Sequence, residues 1–171
     1  MKYLRTFFLT GAAVFATTGA APLMAATDLS GKHIVFVACG PSNPWCKTFN
    51  ERVLGVLKET GVKVTLLEND LDPVQVNQQM AQAISLAPDL VMVLPADDKS
   101  LVGTIKKAKA AGVAVQYLDS PVSEAIIDDI AYQVVADNYA LGKFAGENII
   151  EGLKAQGKTS ANVISITGIA M

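Results

Sequence analysis

The sequence predicts an α/β fold built on a doubly wound parallel sheet. Six short apolar runs, rich in valine, isoleucine and leucine, recur from residue 33 onward. The runs are mostly continuous rather than alternating, which is typical of strands that are covered on both faces. The segments between them carry apolar residues three and four positions apart, as amphipathic helices do. Strands that alternate with helices form right-handed crossover units, and such units define the predicted fold.

The predicted strands share the continuous apolar pattern and cover residues 33–38, 62–67, 89–94, 113–118, 130–135 and 162–167. The stretch 119–129 interrupts the rhythm and is predicted to be a long loop or irregular segment rather than a helix. The last run ends close to the end of the chain, although a buried strand needs a following helix to cover it. We therefore expect the chain to be incomplete relative to the architecture that it begins.

Three helices are predicted from apolar faces with helical spacing: Phe49, Val53, Val56 and Leu57 in the first, Val76, Met80, Ala83 and Ile84 in the second, and Leu101, Ile105 and Ala108 in the third. Their predicted stop signals are Gly61, Pro88 and Gly112. A fourth helix is predicted to follow Asp137, whose side chain is a suitable N-cap.

The composition excludes several classes of protein. The chain is 51% hydrophobic and 18% charged. This composition is typical of a folded domain and excludes an intrinsically disordered chain. Its net charge is −2 and it contains no long block of like charge, so no nucleic-acid partner is predicted. One histidine and two cysteines are too few for a histidine–cysteine metal cluster, and no cofactor is predicted. Cys39 and Cys46 remain able to form a disulfide in an oxidising compartment.

The first residues have the order of a secretory signal peptide. Lys2 and Arg5 precede an apolar run at 7–16, and a segment of small residues broken by Pro22 follows. The apolar run is about half of the roughly 20 residues that a membrane-spanning helix needs. We predict that residues 1–26 are a signal peptide, and the alternative is a buried amphipathic helix at the N-terminus.

Polar side chains follow the predicted strands at the edge where open α/β sheets bind ligands. Asn43 and Trp45 follow the first strand, Asp97 the third and Asp119 the fourth. Short hydrogen-bond acceptors beside a flat ring suit a polyhydroxylated ligand, because carboxylates accept bonds from hydroxyls and a ring packs on the C–H face of a sugar. The sequence therefore predicts a ligand site at this edge.

Each of these residues also has a purely structural interpretation. Asn43 has the features of a helix N-cap, and Asp97 or Asp98 can cap the third helix. Trp45 can belong to the core. Asp119 is least easily explained as a cap, because no helix is predicted directly after it.

Four stretches together resemble a known family, the periplasmic sugar-binding proteins of the ribose-binding type that serve ABC importers. The stretches are SNPW (42–45), PDLVMVLPADD (88–98), KAKAAGVAVQYLDS (107–120) and ADNYALGKFAGENI (136–149). Their order and spacing make the resemblance specific, and it extends from about residue 32 to the end of the chain. Two positions depart from the family pattern. Cys46 replaces a residue that is often aromatic, and Ser120 replaces the arginine usual in ribose binders, which argues against ribose itself.

The resemblance implies a type I periplasmic-binding fold in which two lobes close on the ligand. Residues 27–135 would then form the N-terminal lobe, and 136–171 would be a hinge crossing and the truncated start of the second lobe. The residues implied to contact the ligand are Asn43, Trp45, Asp97 and Asp119, and those implied to form the hinge are Val135, Ala136, Asp137 and Asn138. The implied protein is periplasmic, binds a sugar or polyol, and delivers it to an ABC permease in the inner membrane.

Other functions remain as alternatives. A secreted α/β enzyme acting on a sugar would use a pair of aspartates, but no G-x-G-x-x-G motif follows the first predicted strand and the chain has no G-x-S-x-G nucleophile motif. A sensory module would present its ligand to a membrane receptor. Regulators of the lactose-repressor type share the fold, but they carry a DNA-binding helix pair where this chain has an export signal. We therefore predict a binding protein rather than an enzyme.

Overall fold

The computed structural model describes residues 27–97 and 99–165. Its strands are β1 (His33–Cys39), β2 (Lys63–Asn69), β3 (Leu90–Val93), β4 (Ala114–Asp119) and β5 (Tyr132–Val135). They form one parallel sheet in the order β2-β1-β3-β4-β5. This arrangement confirms the predicted fold class.

Four α-helices accompany the strands: α1 (Pro44–Glu59), α2 (Pro73–Ser85), α3 (Val102–Ala110) and α4 (Asn138–Ala155). The stretch predicted to be irregular contains a 3₁₀ helix at Glu124–Asp129, which is capped by Ser123. Lys109 of α3 fixes this short helix, because its ammonium group lies 2.7 Å from Asp129 and donates to the carbonyl of Asp128.

The sheet is buried on both faces over its central strands. On one face, Val35, Val91 and Val115 pack against α2 and α3. On the other face, Ile34 and Phe36 pack against α1. Because successive residues of a strand point to opposite faces, both sets must be apolar, and this explains the continuous apolar runs in the sequence.

One residue of the predicted helix faces is placed differently. Val56 is 65% exposed, although it was expected to pack with Phe49, Val53 and Leu57. The buried face of α1 centres on Cys46 and Asn50, which lie one turn apart, and the helical rotation turns Val56 away from that line. The helix ends agree with prediction, since Gly61 after α1 has a φ of 72° that favours glycine.

The predicted sixth strand is wrong over the part that the structure describes. Residues 161–165 are in no strand or helix, and the last two positions of the predicted strand lie outside the described residues. Val163 is 69% and Ile164 is 87% exposed. A strand needs a neighbour for its backbone hydrogen bonds, and no described strand lies beside this segment.

The segment after β5 leaves the sheet. None of the described residues of α4 is buried, and Tyr139 and Phe144 are among its exposed side chains. The predicted signal peptide, residues 1–26, lies outside the described residues. Among the helices that the structure does describe, none has the length and apolar character needed to cross a membrane.

Candidate functional site

All five strands are parallel, so their carboxyl ends meet at one edge of the sheet. Asn43 follows β1, Asp97 follows β3 and Asp119 ends β4, while Trp45 lies in the first turn of α1. The fold thus brings the four predicted residues to the same edge. Within the described chain, no hydrogen bond joins one of these side chains to another.

Asn43 combines a capping role with a place in a pocket. Its Oδ1 accepts a hydrogen bond from the backbone N–H of Trp45 at 2.9 Å, and Pro44 occupies the first helical position. This is the N-cap geometry that the sequence indicated. Asn43 also lines a cavity of about 240 Å³ at the ends of β1 and β2.

The cavity walls come from two strand ends and their loops and combine polar with apolar residues. The lining residues are Cys39, Gly40, Ser42, Asn43, Cys46, Asn69, Asp70 and Leu71. Of the four residues predicted to contact ligand, only Asn43 is in this set. Asp70, which is not among the predicted contact residues, therefore also lies at the site.

Trp45 is half-exposed rather than part of the core. Its ring stacks on Phe49, with centroids 5.0 Å apart and planes 9° from parallel. Phe49 in turn contacts Phe36 of β1 edge to face at 6.4 Å. This aromatic series anchors one face of the indole to the core cluster beneath α1.

Asp97 is held by its own turn. Its Oδ1 accepts hydrogen bonds from the backbone N–H groups of Ser100 at 2.6 Å and Lys99 at 2.7 Å. The bond from Ser100 is the main reason why the pKa of the Asp97 carboxyl is lowered from 3.8. The helix itself begins later, at Val102, so Asp97 stabilises the preceding turn rather than capping α3 directly. Asp98 lies outside the described residues.

A buried tyrosine connects the loop of Asp97 to the core. Tyr117 of β4 is fully buried, and its hydroxyl donates to the carbonyl oxygen of Asp97 at 3.3 Å. Because Tyr117 lies two residues before Asp119, one rigid strand supports both loops. The loops after β3 and β4 are therefore held in a fixed relation.

Asp119 has an unusual backbone conformation. Its φ is 66°, in the left-handed region that aspartate tolerates better than most residues. The N–H of Ser120 donates to the carbonyl of Leu118 at 2.8 Å, which closes a three-residue γ-turn around Asp119. The side chain is exposed, and no hydrogen bond or ion pair within the described chain occupies its carboxylate.

Two buried asparagines were missed as site residues by the sequence reasoning. Asn50 is 4% exposed, and its Nδ2 donates to the carbonyl of Cys39 at 2.9 Å and to Oε1 of Glu68 at 3.2 Å. Asn69 is also 4% exposed, and its Nδ2 donates to Oε1 of Gln79 at 2.8 Å. The available signal was the position of Asn50 in an apolar helix face, where a polar residue must find a buried partner.

Cys39 and Cys46 form a disulfide, a question that the sequence left open. Cys39 is the last residue of β1 and Cys46 lies in the first turn of α1, with Cα atoms 5.5 Å apart. Both residues are buried, at 1% and 0% exposure. The disulfide therefore closes the loop that carries Asn43.

The segment predicted as a hinge is a compact turn. The N–H of Asn138 donates to the carbonyl of Ala136 at 2.9 Å, around Asp137 with φ −74° and ψ 81°, which is an inverse γ-turn. Asp137 also caps α4, because its Oδ1 accepts from the N–H of Ala140 at 2.8 Å.

Across residues 27–97 and 99–165, no group of three or more histidine, cysteine or acidic side chains is placed to hold a metal ion.

Solved structures with a similar fold include ABC transporter solute-binding proteins. A periplasmic ribose ABC transporter from Conexibacter woesei has a TM-score of 0.67 and 24% identity, covering 73% of this chain and 41% of that one. An ABC transporter solute-binding protein from Clostridium phytofermentans with bound β-D-glucose has a TM-score of 0.65 and 23% identity, covering 73% and 38%. A protein from Mycobacterium smegmatis in complex with β-D-fucofuranose has a TM-score of 0.67 and 18% identity, covering 72% and 41%.

The chain thus spans about two fifths of the length of these structures, and at such identities the likeness shows the fold. None of the curated proteins compared with the chain matches it. A family model described as a periplasmic binding protein domain matches residues 34–170, which is most of the sequence. The resemblance seen in the sequence is confirmed at this level, and the chain belongs to the periplasmic binding protein family.

Proposed function

We propose that this chain binds a sugar or polyol at the carboxyl edge of its sheet, as part of an exported solute-binding protein of an ABC importer. The observation that carries the proposal is Asp119, an exposed carboxylate without a hydrogen-bond or ion-pair partner among the described residues, held in a left-handed turn where ligands of α/β sheets bind. Backbone conformations of this kind cluster at ligand sites. By contrast, Asp97 and Asp137 are already used by their own turns.

The ligand contacts that we propose divide between hydroxyl and C–H recognition. Asp119 accepts hydrogen bonds from ligand hydroxyls, and Asn43 contributes polar atoms from the cavity beside β1. Trp45 offers the ring face that is not stacked on Phe49 to the C–H face of a sugar. Asp97 contributes least to ligand binding in this proposal, because backbone N–H groups already occupy its Oδ1.

We place the protein in the periplasm. A buried disulfide is typical of proteins from oxidising compartments. The signal-peptide pattern of residues 1–26 points to the same location. In this proposal residues 27–135 form the N-terminal lobe, the segment 135–138 is a hinge into a second lobe, and the partner is a permease in the inner membrane.

The test is a thermal-shift panel on the chain with D-glucose, D-ribose, D-galactose and glycerol, because a ligand that binds only the folded state raises its unfolding temperature. The described edge offers contacts from one side, which must offset a loss of ligand freedom of about 4 kcal/mol or more. We therefore expect a dose-dependent rise at millimolar concentrations for at least one compound.

The matched control is Asp119→Asn, which keeps a residue that tolerates a positive φ but removes the charge. We expect this variant to lose the thermal shift. A wild-type chain that responds to no compound, or an equal response of wild type and variant, contradicts the proposal. Chemical turnover of any of the sugars favours the alternative of a sugar-modifying enzyme.

A further inference from the structure

We propose that the Cys39–Cys46 disulfide positions the ligand-binding loop, so that binding at this edge requires the oxidised chain. The loop in question is the segment 40–45, which carries Asn43 and Trp45. This inference rests on the proposed function for its ligand, but its structural part stands on the contacts of the loop itself.

The loop has few other connections to the molecule. Residues 41–45 are exposed, and their hydrogen bonds in the described chain stay within the loop and the first turns of α1. Pro41 and Pro44 have no N–H to donate. The single bond to a neighbouring strand comes from Gly40, whose N–H donates to the carbonyl of Asn69. The loop therefore depends on how its two ends are held.

Those two ends are held by Cys39 on one side and Cys46 on the other. The disulfide joins their side chains, and Nδ2 of Asn50, one turn after Cys46, donates to the Cys39 carbonyl. Strand β1 and helix α1 are thus connected twice at the base of the loop. Loss of the disulfide leaves one hydrogen bond at the base of the loop, with the packing of Phe49 on Phe36 a turn farther along, to fix the start of the helix whose first residues carry the proposed contacts.

Burial makes this disulfide a permanent connection rather than a switch. Cys39 is 1% and Cys46 is 0% exposed, in a cluster with Phe36, Ala38 and Leu118. Thiol–disulfide exchange needs a thiolate to reach a sulfur atom, and here that requires the loop to open first. The oxidised form therefore persists once the chain has folded.

The experiment compares the full chain with Cys39→Ala/Cys46→Ala and with Val115→Ala, a control in the core of the opposite sheet face. Hydrogen exchange of a peptide spanning 40–45 and the fluorescence anisotropy decay of Trp45, the one tryptophan, report loop motion. Denaturant is adjusted until the double variant and the control have the same global free energy of unfolding. We expect at least tenfold faster exchange in the loop of the double variant and a larger fast component of the anisotropy decay. Equal values in the double variant and in Val115→Ala overturn the proposal.

A second arm titrates D-glucose, D-ribose and glycerol. For a compound that shifts the wild-type unfolding temperature, we expect about tenfold weaker binding to the double variant and unchanged binding to Val115→Ala. Equal affinity in wild type and double variant overturns the proposal even if the loop is more mobile. If no compound binds the wild type, the proposed function fails for these ligands, and the exchange comparison still decides whether the disulfide positions the loop.

Discussion

Asp119 lies directly opposite Val135 in the register between β4 and β5. The residue proposed to accept ligand hydroxyls is therefore the strand neighbour of the first residue of the proposed hinge. A γ-turn is centred on Asp119, and an inverse γ-turn is centred on Asp137, two residues after Val135. A ligand that pulls on Asp119 acts on the backbone beside the point where the chain leaves the sheet.

Substitutions at Asp119 can separate an effect on the stability of the fold from an effect on ligand binding, because the backbone turn and the carboxylate can be changed independently. Asp119→Gly relieves the left-handed strain and is expected to unfold at an equal or higher urea concentration than wild type. Asp119→Ala keeps a Cβ without the tolerance of aspartate and is expected to lose about 1 kcal/mol. Both variants lose the carboxylate, and each is expected to bind the panel sugars about 1.5–3 kcal/mol more weakly, measured by calorimetry. Retained binding in Asp119→Gly would contradict the role of the carboxylate.

Asn50→Ala is expected to lower the free energy of unfolding by about 1–3 kcal/mol. The variant leaves the carbonyl of Cys39 without its side-chain donor in a buried place. Urea unfolding followed by circular dichroism measures the change. Asn148→Ala is the control, because its Nδ2 bonds the carbonyl of Phe144 on an exposed helix. A loss in Asn50→Ala no larger than in this control would show that the buried bond contributes little.

Trp45→Ala is expected to lower stability by about 0.5–1.5 kcal/mol through the loss of its stack with Phe49. Trp45→Phe keeps an aromatic ring at the position and should recover most of that loss. The control on the same helix is Val56→Ala, since Val56 is 65% exposed, and a change within about 0.5 kcal/mol is expected there. Similar losses for Trp45→Ala and Val56→Ala would indicate that the stack is not stabilising.

The lowered pKa of Asp97 predicts a pH-dependent contribution to stability. Hydrogen bonds to the ionised carboxylate, chiefly from the N–H of Ser100, hold the folded-state pKa below the usual 3.8. This contribution is complete above the unfolded pKa and is lost as the pH falls through the folded one. The free-energy difference between wild type and Asp97→Asn is therefore expected to be constant from pH 7 to about 5 and to shrink below about pH 4.

Urea unfolding at several pH values measures that difference. The two proteins are compared because the pKa of Asp89, lowered mainly by its hydrogen bond from Lys32, makes the free energy of unfolding depend on pH in both of them. Subtracting one free energy from the other removes that shared contribution. A gap between wild type and Asp97→Asn that stays constant down to pH 2 would contradict the prediction.

The fold was predictable where local pattern and tertiary environment agree. Runs such as 33–38 are apolar throughout because both faces of β1 are covered, and Asn43 before a proline specifies a cap by local chemistry alone. The predicted burial of Val56 and the predicted strand over residues 162–165 were wrong for a shared reason. Apolar character indicates that a residue can be buried, whereas burial needs a neighbour that the local sequence does not identify.

The site was less predictable, because its support is assembled from distant positions. The bond from Asn50 to Cys39 and the contact of Tyr117 with the loop of Asp97 join residues from different elements. The left-handed φ of Asp119 likewise follows from the closure of its turn against the sheet. The spacing of residues in the sequence does not predict such contacts.

The strand order has a consequence for how the chain is built as it leaves the ribosome. After β2 has paired with β1, every later strand adds at the same growing edge of the sheet: β3 joins the free side of β1, β4 joins β3, and β5 joins β4. No strand has to be inserted between two that are already paired. The sheet can therefore grow in one direction in the order of synthesis, and each helix between two strands can pack on a face of the sheet before the next strand arrives.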